Sequence, residues 1–386
     1  MHVGFEVIAA GSSLDEGQGG ASGYIEGLVP AMLADPRIEH FTAYVADWYT
    51  PATSWSHPKL TVRPCRAPRA RPARVVYEQL RVPQRARSDG IDVLFSSGNF
   101  RPLLYRDPNV VALHAVQYFL LDDQIGRIRG SYVRHFVPRS VRSADVVVAV
   151  TETLRRDAIE LFDLDPERIV SVPMGPSPWV LELLQNGSAA VDPYRLEDGA
   201  PYVLSISRLY ALKNHQRLIQ AFAELVAEKK LPHKLLVVGG DADVTRQQLE
   251  SVAAEVGIGD RVIFLGRVEQ QLVPALYRGA SAVAYVSLYE TFGHPVLEAF
   301  ATGAPVVTSS TGATAEVAGG AARLVDPRDV GSIVGGLAEV IGDEATRHRM
   351  AAAGRARVAD FSWERCAKGT IDALELALAR RRASAN

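Results

Sequence analysis

Cysteine is scarce in this sequence of 386 residues: Cys65 and Cys366 are the two it has, far apart and without metal-ligand spacing. That scarcity argues against a disulfide or zinc framework and for a reducing compartment. An excess of charge of one sign is missing too. The net charge is -2 at pH 7, so no global field points to nucleic acid or an anionic membrane. No apolar run approaches the roughly 20 residues that span a bilayer. No basic leader or cleavage-like site precedes the first strand-like run, His2–Ala10. These absences predict a cytoplasmic protein with no integral membrane association and no nucleic-acid partner. Low-complexity segments and short-period repeats are also lacking.

What is present is a globular composition, 47% hydrophobic and 22% charged. The length exceeds one compact core and suits two domains. Short runs rich in Val, Ile and Leu recur with helical stretches between them, for example Asn109–Ala115, Asp145–Thr151, Tyr202–Ser207, Lys234–Gly240 and Ala282–Ser287. Near-continuous apolar strands alternating with helices predict parallel sheets covered on both faces. Two such series, of six or seven strands each, predict an α/β protein of two doubly wound, Rossmann-like domains facing each other across a cleft. The expected division is a first domain over 1–178, a linker over 179–198 where Gln185-Asn186-Gly187-Ser188 breaks the pattern, and a second domain over 199–361. A closing helix over 362–386, with Trp363, Cys366, Ile371, Leu374 and Leu378 at helical spacing, is expected to pack back on the first domain. Ligands of such sheets bind outside the carboxyl ends of the strands.

The strongest local signal is Tyr289-Glu290-Thr291-Phe292-Gly293-His294-Pro295-Val296-Leu297-Glu298-Ala299. It follows the run Ala282–Ser287 and opens a helix, with Pro295 suited to the first turn and Gly303 to the C-terminal cap. The amides from Thr291 to Val296 are expected to lack intrahelical partners and to form an anion site. Glu290 and Glu298 suit a polyhydroxylated ligand, because carboxylate oxygens accept from sugar hydroxyls; each alone also fits a simple favourable charge at a helix N-terminus. A second signal, Ser207-Arg208-Leu209-Tyr210-Ala211-Leu212-Lys213, joins a strand to a helix with the stripe Leu218, Phe222 and Leu225. Two cations beside a helix N-terminus are unfavourable unless an anion is present, and a diphosphate supplies one. Taken alone, the pair fits solvated surface charges better than a ligand site.

Together these segments resemble the family-4 retaining glycosyltransferases of the GT-B fold, a bacterial, nucleoside-diphosphate-sugar-dependent type. The match looks like the family's Glu-x7-Glu element in Glu290 and Glu298 and its Arg/Lys pair in Arg208 and Lys213. It extends through Gly266-Arg267-Val268, Gly303-Ala304-Pro305, Glu316-Val317 and Asp326-Pro327, and in the first half through Ser143–Thr151 and Val172-Pro173-Met174-Gly175. The resemblance implies transfer of a hexose or amino-hexose from an NDP-sugar, with UDP favoured. The sugar nucleotide is then a substrate, and no cofactor or metal is expected. Arg208 and Lys213 fall to the diphosphate and Glu298 to the ribose. Val268 meets the base through its backbone. Glu290, with Thr291 and the Phe292 and Gly293 amides, lies near the donor sugar. His114, at the end of a strand, falls where the family has a histidine near the donor sugar and acceptor, though Ala115 stands where Asp usually follows.

Gly17-Gln18-Gly19-Gly20 follows the first strand, and Gly19 and Gly20 allow close approach of amides to a phosphate, as they also allow a plain tight turn. Gly17, Gly19 and Gly23 do not fit the spacing of a dinucleotide fingerprint, which argues against a dehydrogenase. Asp241-Ala242-Asp243 has the spacing by which some glycosyltransferases hold a divalent ion, and reads here as a turn. Asp15, Glu16, Asp122 and Asp123 suit a small, hydroxylated, cationic acceptor, and an aminocyclitol or aminoglycoside antibiotic intermediate is the expected class. A cell-envelope or lipid-linked saccharide is the alternative, since Arg63 to Arg87 form a basic segment that fits either an anionic surface or solvent. A catalytically silent nucleotide-sugar-binding protein is the reading from another class.

Overall fold

A computed structural model describes residues 1–8, 20–48, 55–120, 127–186 and 192–385. The chain divides into two compact units, one of Met1–Gly175 with Phe361–Asn386 and one of Pro176–Asp360.

In the first unit the strands are β1 (His2–Glu6), β2 (His40–Ala46), β3 (Leu60–Cys65), β4 (Val93–Ser96), β5 (Asn109–Leu113), β6 (Val146–Ala149) and β7 (Ile169–Ser171). They make one seven-stranded sheet in the order β3-β2-β1-β4-β5-β6-β7, parallel throughout. β-Branched runs such as Val146-Val147-Val148 are buried on both faces, as a covered parallel sheet requires. β3 closes one edge with four exposed residues, and Pro64, which has no N–H to give a neighbour, stands there. Strand order reverses between β1 and β4, which makes their carboxyl ends the switch point of this sheet.

The C-terminal helix Trp363–Ala385 belongs to this unit and packs against the helix Gly20–Ala34. Its buried face is Trp363, Cys366, Ile371 and Leu374. The indole lies flat enough on Gly27 that a Cβ there would sit 2.1 Å from the ring, so only glycine fits. Arg37 reaches Asp372 at 2.6 Å and Arg381 reaches Asp145 at 2.7 Å. Partly exposed pairs of this kind contribute about 0–1 kcal/mol each, whereas burying a large apolar side chain contributes about 1.5–3 kcal/mol. The apolar face therefore holds the helix.

Four arginines of the basic segment engage the unit's own structure. Residues Arg71–Ser88 form a helix; Arg63 pairs with Asp89, Arg74 with Glu78 and Arg87 with Asp107, while Arg85 donates to the Pro64 carbonyl. Among the described residues no helix is long and apolar enough to cross a membrane.

The second unit holds β8 (Tyr202–Ile206), β9 (Lys234–Val238), β10 (Val262–Gly266), β11 (Ala282–Tyr285), β12 (Val306–Ser309) and β13 (Arg323–Val325). The sheet order is β10-β9-β8-β11-β12-β13, again parallel, with its switch point between β8 and β11. The expected stripe Leu218, Phe222 and Leu225 is buried in the helix His215–Lys229, in one core with Leu235, Val237, Ile333 and Leu337.

Of the expected linker over 179–198, residues 179–186 and 192–198 are described, and both stretches belong to the second unit. Pro178–Asn186 is a helix of the second unit, because the apolar Trp179, Val180 and Leu183 find partners there. Val180 and Leu183 are buried, Trp179 stacks on Tyr277 at 6.2 Å and 18°, and the Tyr194 amide donates to the Ala275 carbonyl at 2.9 Å.

Candidate active site

The second unit's site starts where β8 ends. The chain runs through Ser207 and Arg208 into a single turn of 3-10 helix, Ala211–Lys213, and Asn214 then turns it into the helix His215–Lys229 with φ 62°. That left-handed conformation is open to few residues besides Gly and Asn. The Asn214 side chain is buried and donates to two carbonyls, Val286 at 3.0 Å and Pro327 at 2.7 Å. It thus ties the loop after β8 to the loops after β11 and β13. The Leu288 amide, donating to the Leu212 carbonyl at 2.9 Å, adds a second tie.

These ties bring Lys213 to Glu290. Lys213 Nζ lies 2.5 Å from Glu290 Oε1, and donates to the Tyr285 hydroxyl at 2.8 Å; that hydroxyl donates to the same carboxylate oxygen at 2.8 Å. Burial works against the Lys213 charge, but the Glu290 carboxylate and Tyr285 outweigh it and hold the ammonium above its ordinary pKa. Burial and the Glu290 charge push the Tyr285 phenol up, so it stays a donor. An ammonium has three protons to direct, and this triangle takes two of them. Arg208 stands exposed on the same loop, its guanidinium 5.2 Å from the Tyr210 ring.

Glu290 leads into the helix His294–Thr302, with Pro295 in the first turn and Gly303 closing it at φ 78°. Gly293 is the N-terminal cap at φ 102°, where a Cβ would also come within 3.0 Å of Thr314 Cγ2. The expected run of open amides is shorter than Thr291 to Val296. Pro295 has no N–H, and the Val296 amide donates to the Gly293 carbonyl at 2.9 Å. Phe292 is buried and Thr291 half-buried beside it.

Glu298, one turn into that helix, accepts from Ser177 Oγ at 2.7 Å and from the Tyr277 hydroxyl at 3.0 Å. Burial pushes its carboxyl up, and the hydrogen bonds from Ser177 and Tyr277, with Trp179 beside them, oppose that push. Val268 lies half-buried in the loop after β10. Asp241 and Asp243 serve the backbone: Asp243 accepts from the Ala211 amide at 2.8 Å and Asp241 from the Arg246 amide at 3.0 Å. Among the described residues no group of three His, Cys, Asp or Glu side chains could hold a metal ion.

In the first unit β5 stops at Leu113, so His114 stands on the loop that follows. Its Nε2 lies 2.9 Å from the Ser97 carbonyl, an acceptor only, so that nitrogen carries the proton. Ser97 follows β4, and His114 therefore sits beside the switch point of this sheet. Asn99, at φ 60°, accepts from the His114 amide at 2.6 Å and the Ala115 amide at 3.2 Å, and Tyr24 sets its edge on the imidazole at 4.5 Å. Gly20 opens the helix Gly20–Ala34. Gly19, Asp15, Glu16, Asp122 and Asp123 lie outside the described residues.

The structure thus joins Lys213 to Glu290 directly and sets Glu298 in a separate cluster with Ser177 and Tyr277. Asn99, Ser177, Asn214, Tyr277 and Tyr285 were not singled out from the sequence. Asn214 had a signal, an asparagine between a strand loop and a helix start; the others had none beyond their residue type.

Comparison with known proteins agrees with this fold. The model of the glycosyl transferases group 1 matches residues 190–357, and that of Glycosyltransferase Family 4 matches residues 24–177. The O-antigen chain mannosyltransferase B of Escherichia coli is 29% identical over 292 residues, 72% of this chain and 75% of that protein. A D-inositol 3-phosphate glycosyltransferase of Nocardia farcinica is 32% identical over 246 residues, 62% of this chain; the match spans about half of that relative's length, 54%. Among solved structures, sucrose-phosphate synthase from Thermosynechococcus elongatus superposes with a TM-score of 0.70 at 19% identity, each chain covered in full, 100%. Anabaena HepE, solved with UDP and glucose, gives 0.65 at 20% identity, with 97% of this chain and 99% of that one covered. With both Rossmann-like units matched and the Arg208, Lys213, Glu290 and Glu298 pattern in place, the chain belongs to the family-4 glycosyltransferases of the GT-B fold.

Proposed function

We propose that this enzyme moves a hexose or amino-hexose from a nucleoside diphosphate sugar, UDP-linked, to a hydroxyl of a small cyclitol-type acceptor, with retention and without a metal ion. The observation that carries the reading is the Lys213–Glu290 contact at the carboxyl ends of β8 and β11, the switch point where open α/β sheets bind ligands. As the bond from the anomeric carbon to the diphosphate breaks, negative charge grows on the leaving group, and Lys213 and Arg208 stabilise it. The acceptor oxygen bonds to the anomeric carbon from the same face, and its proton passes to a diphosphate oxygen. Glu290 then accepts from a sugar hydroxyl, with Thr291 and the Phe292 and Gly293 amides beside it. Glu298 takes the ribose, and the Val268 backbone takes the base. His114 serves the transferred sugar and acceptor.

HepE, solved with UDP-glucose as well as with UDP and glucose, supports a UDP-linked donor. The D-inositol 3-phosphate glycosyltransferases support a cyclitol ring as acceptor, and we assign an aminocyclitol of the antibiotic-intermediate type within that class. The O-antigen mannosyltransferase favours a second reading, a cell-envelope saccharide. Purified protein incubated with UDP-glucose, UDP-N-acetylglucosamine or GDP-mannose, each against inositol, aminocyclitol and oligosaccharide pools, separates these by product mass. Proton NMR of the product reads the anomeric configuration. An inverted product, or activity abolished by EDTA and restored by manganese, contradicts the mechanism.

A further inference from the structure

Glu298 is gripped from two directions by hydroxyls of its own unit. Ser177 Oγ donates to Oε1 at 2.7 Å, and the Tyr277 hydroxyl donates to Oε2 at 3.0 Å. Trp179 lies beside the same carboxylate and works with the two hydroxyls against the upward push of burial on its pKa. These donors come from different elements. Ser177 precedes the helix Pro178–Asn186, which carries Trp179, while Tyr277 sits in the helix Val273–Gly279. Tyr277 is fully buried and its ring stacks on Trp179, so the phenol cannot follow the carboxylate if it turns. A carboxylate with one donor on each oxygen has lost rotation about its last torsion, and its remaining lone pairs point in fixed directions. Fixing a binding group ahead of its ligand removes the ordering that binding would otherwise require.

We infer that Ser177 and Tyr277 are positioning residues, which lock the Glu298 carboxylate so that it discriminates the hydroxyls of a nucleotide ribose. The inference rests on the reading of Glu298 as the ribose ligand. Its competitor is that the hydroxyls only satisfy a carboxylate that burial has stranded. The two differ in one readout. A lock changes the preference for ribose over deoxyribose, whereas mere satisfaction changes folding stability and leaves that preference alone.

The test titrates the whole chain with UDP and with 2′-deoxy-UDP and 3′-deoxy-UDP by calorimetry. The proteins compared are the parent, Ser177→Ala, Ser177→Thr, Tyr277→Phe and Glu298→Gln, with melting temperatures alongside. The parent should prefer UDP over at least one deoxy analogue by about 10- to 100-fold, the range for a hydrogen bond to a charged acceptor. Glu298→Gln should abolish most of that preference. Ser177→Ala and Tyr277→Phe should each reduce it several-fold while binding of the deoxy analogue changes little, and Ser177→Thr should restore it. If Glu298→Gln keeps the full preference, the ribose reading itself fails. If Glu298→Gln loses it and a hydroxyl-deleted variant keeps it, the positioning role of that residue is overturned. Both variants remove a single oxygen; should Tyr277→Phe fail to fold, the Ser177 pair decides.

Discussion

Lys213 Nζ and Glu290 Oε1 meet at 2.5 Å although 77 residues separate them in the chain. They meet because β8 and β11 are neighbours in the sheet, and because the loop after each strand leaves from the same rim. The contact uses one carboxylate oxygen and, with Tyr285, two of the ammonium's three protons. Lys213→Ala and Arg208→Ala should each reduce kcat/KM for the donor by roughly 2–4 kcal/mol of transition-state stabilisation, the scale of losing one oxyanion donor. The rate of UDP release from a UDP-sugar measures it; unchanged turnover in both variants would move the diphosphate elsewhere.

Asn214 offers a stability test that separates backbone from side chain. Asn214→Ala leaves the Val286 and Pro327 carbonyls without their donors, at about 1–3 kcal/mol each if they stay buried. It also puts alanine at φ 62°, adding roughly 1–2 kcal/mol. Asn214→Gly should escape the second term alone and be the more stable of the two by about 1 kcal/mol. Urea unfolding at pH 7.5 reads the difference, and equal midpoints would show that the backbone conformation carries no penalty.

His215 predicts a pH dependence. Burial, reinforced by the Lys213 charge, pushes its imidazole down to about 4. The unfolded imidazole, with a pKa near 6.5, binds a proton more readily than the folded one. Its contribution is therefore complete above about pH 6.5 and is lost as pH falls toward 4, by roughly 3 kcal/mol in all. His215→Phe should flatten that part of the stability curve. Parallel curves for the two proteins between pH 7 and 4.5 would refute the assignment.

His114→Ala should leave UDP affinity within about twofold while slowing transfer, since it stands in the unit that lacks Arg208, Lys213 and Glu298. Calorimetry with UDP and product formation on the same preparation read the two effects. Loss of UDP binding would reassign His114 to the nucleotide.

Much of this was legible from residue order. The strands lie where apolar runs such as Asp145–Thr151 and Tyr202–Ser207 predict them: β6 starts one residue later and stops two earlier than its run, and β8 shares its first residue and stops one earlier. Pro295 and Gly303 mark the helix between them because each has a backbone reason to stand there. The Lys213–Glu290 contact was not legible, because spacing along a chain says nothing of which strands become neighbours in a sheet. The Ser177 and Tyr277 grip on Glu298 was hidden for the same reason. The 179–198 stretch misled in the opposite way: a turn signature at Gln185-Asn186-Gly187-Ser188 outweighed an apolar Trp179, Val180 and Leu183 that the second unit buries.

Trp363, whose ring lies on Gly27 and meets the edge of Tyr24 at 6.1 Å, comes from the far end of the chain. The Pro176–Asp360 unit is contiguous and can complete its core from residues made before Trp363. The first unit cannot. Its strands emerge first, yet the surface around Gly27 waits uncovered until every residue of the other unit has been made. Ribosome-arrested chains cut after Asp360 and extended by an unstructured linker that carries Asp360 clear of the exit tunnel should accordingly present a protease-resistant second unit behind a first unit that is still readily cut, and extending the native sequence through Ala385 instead should close it. In this molecule the order of completion runs opposite to the order of translation.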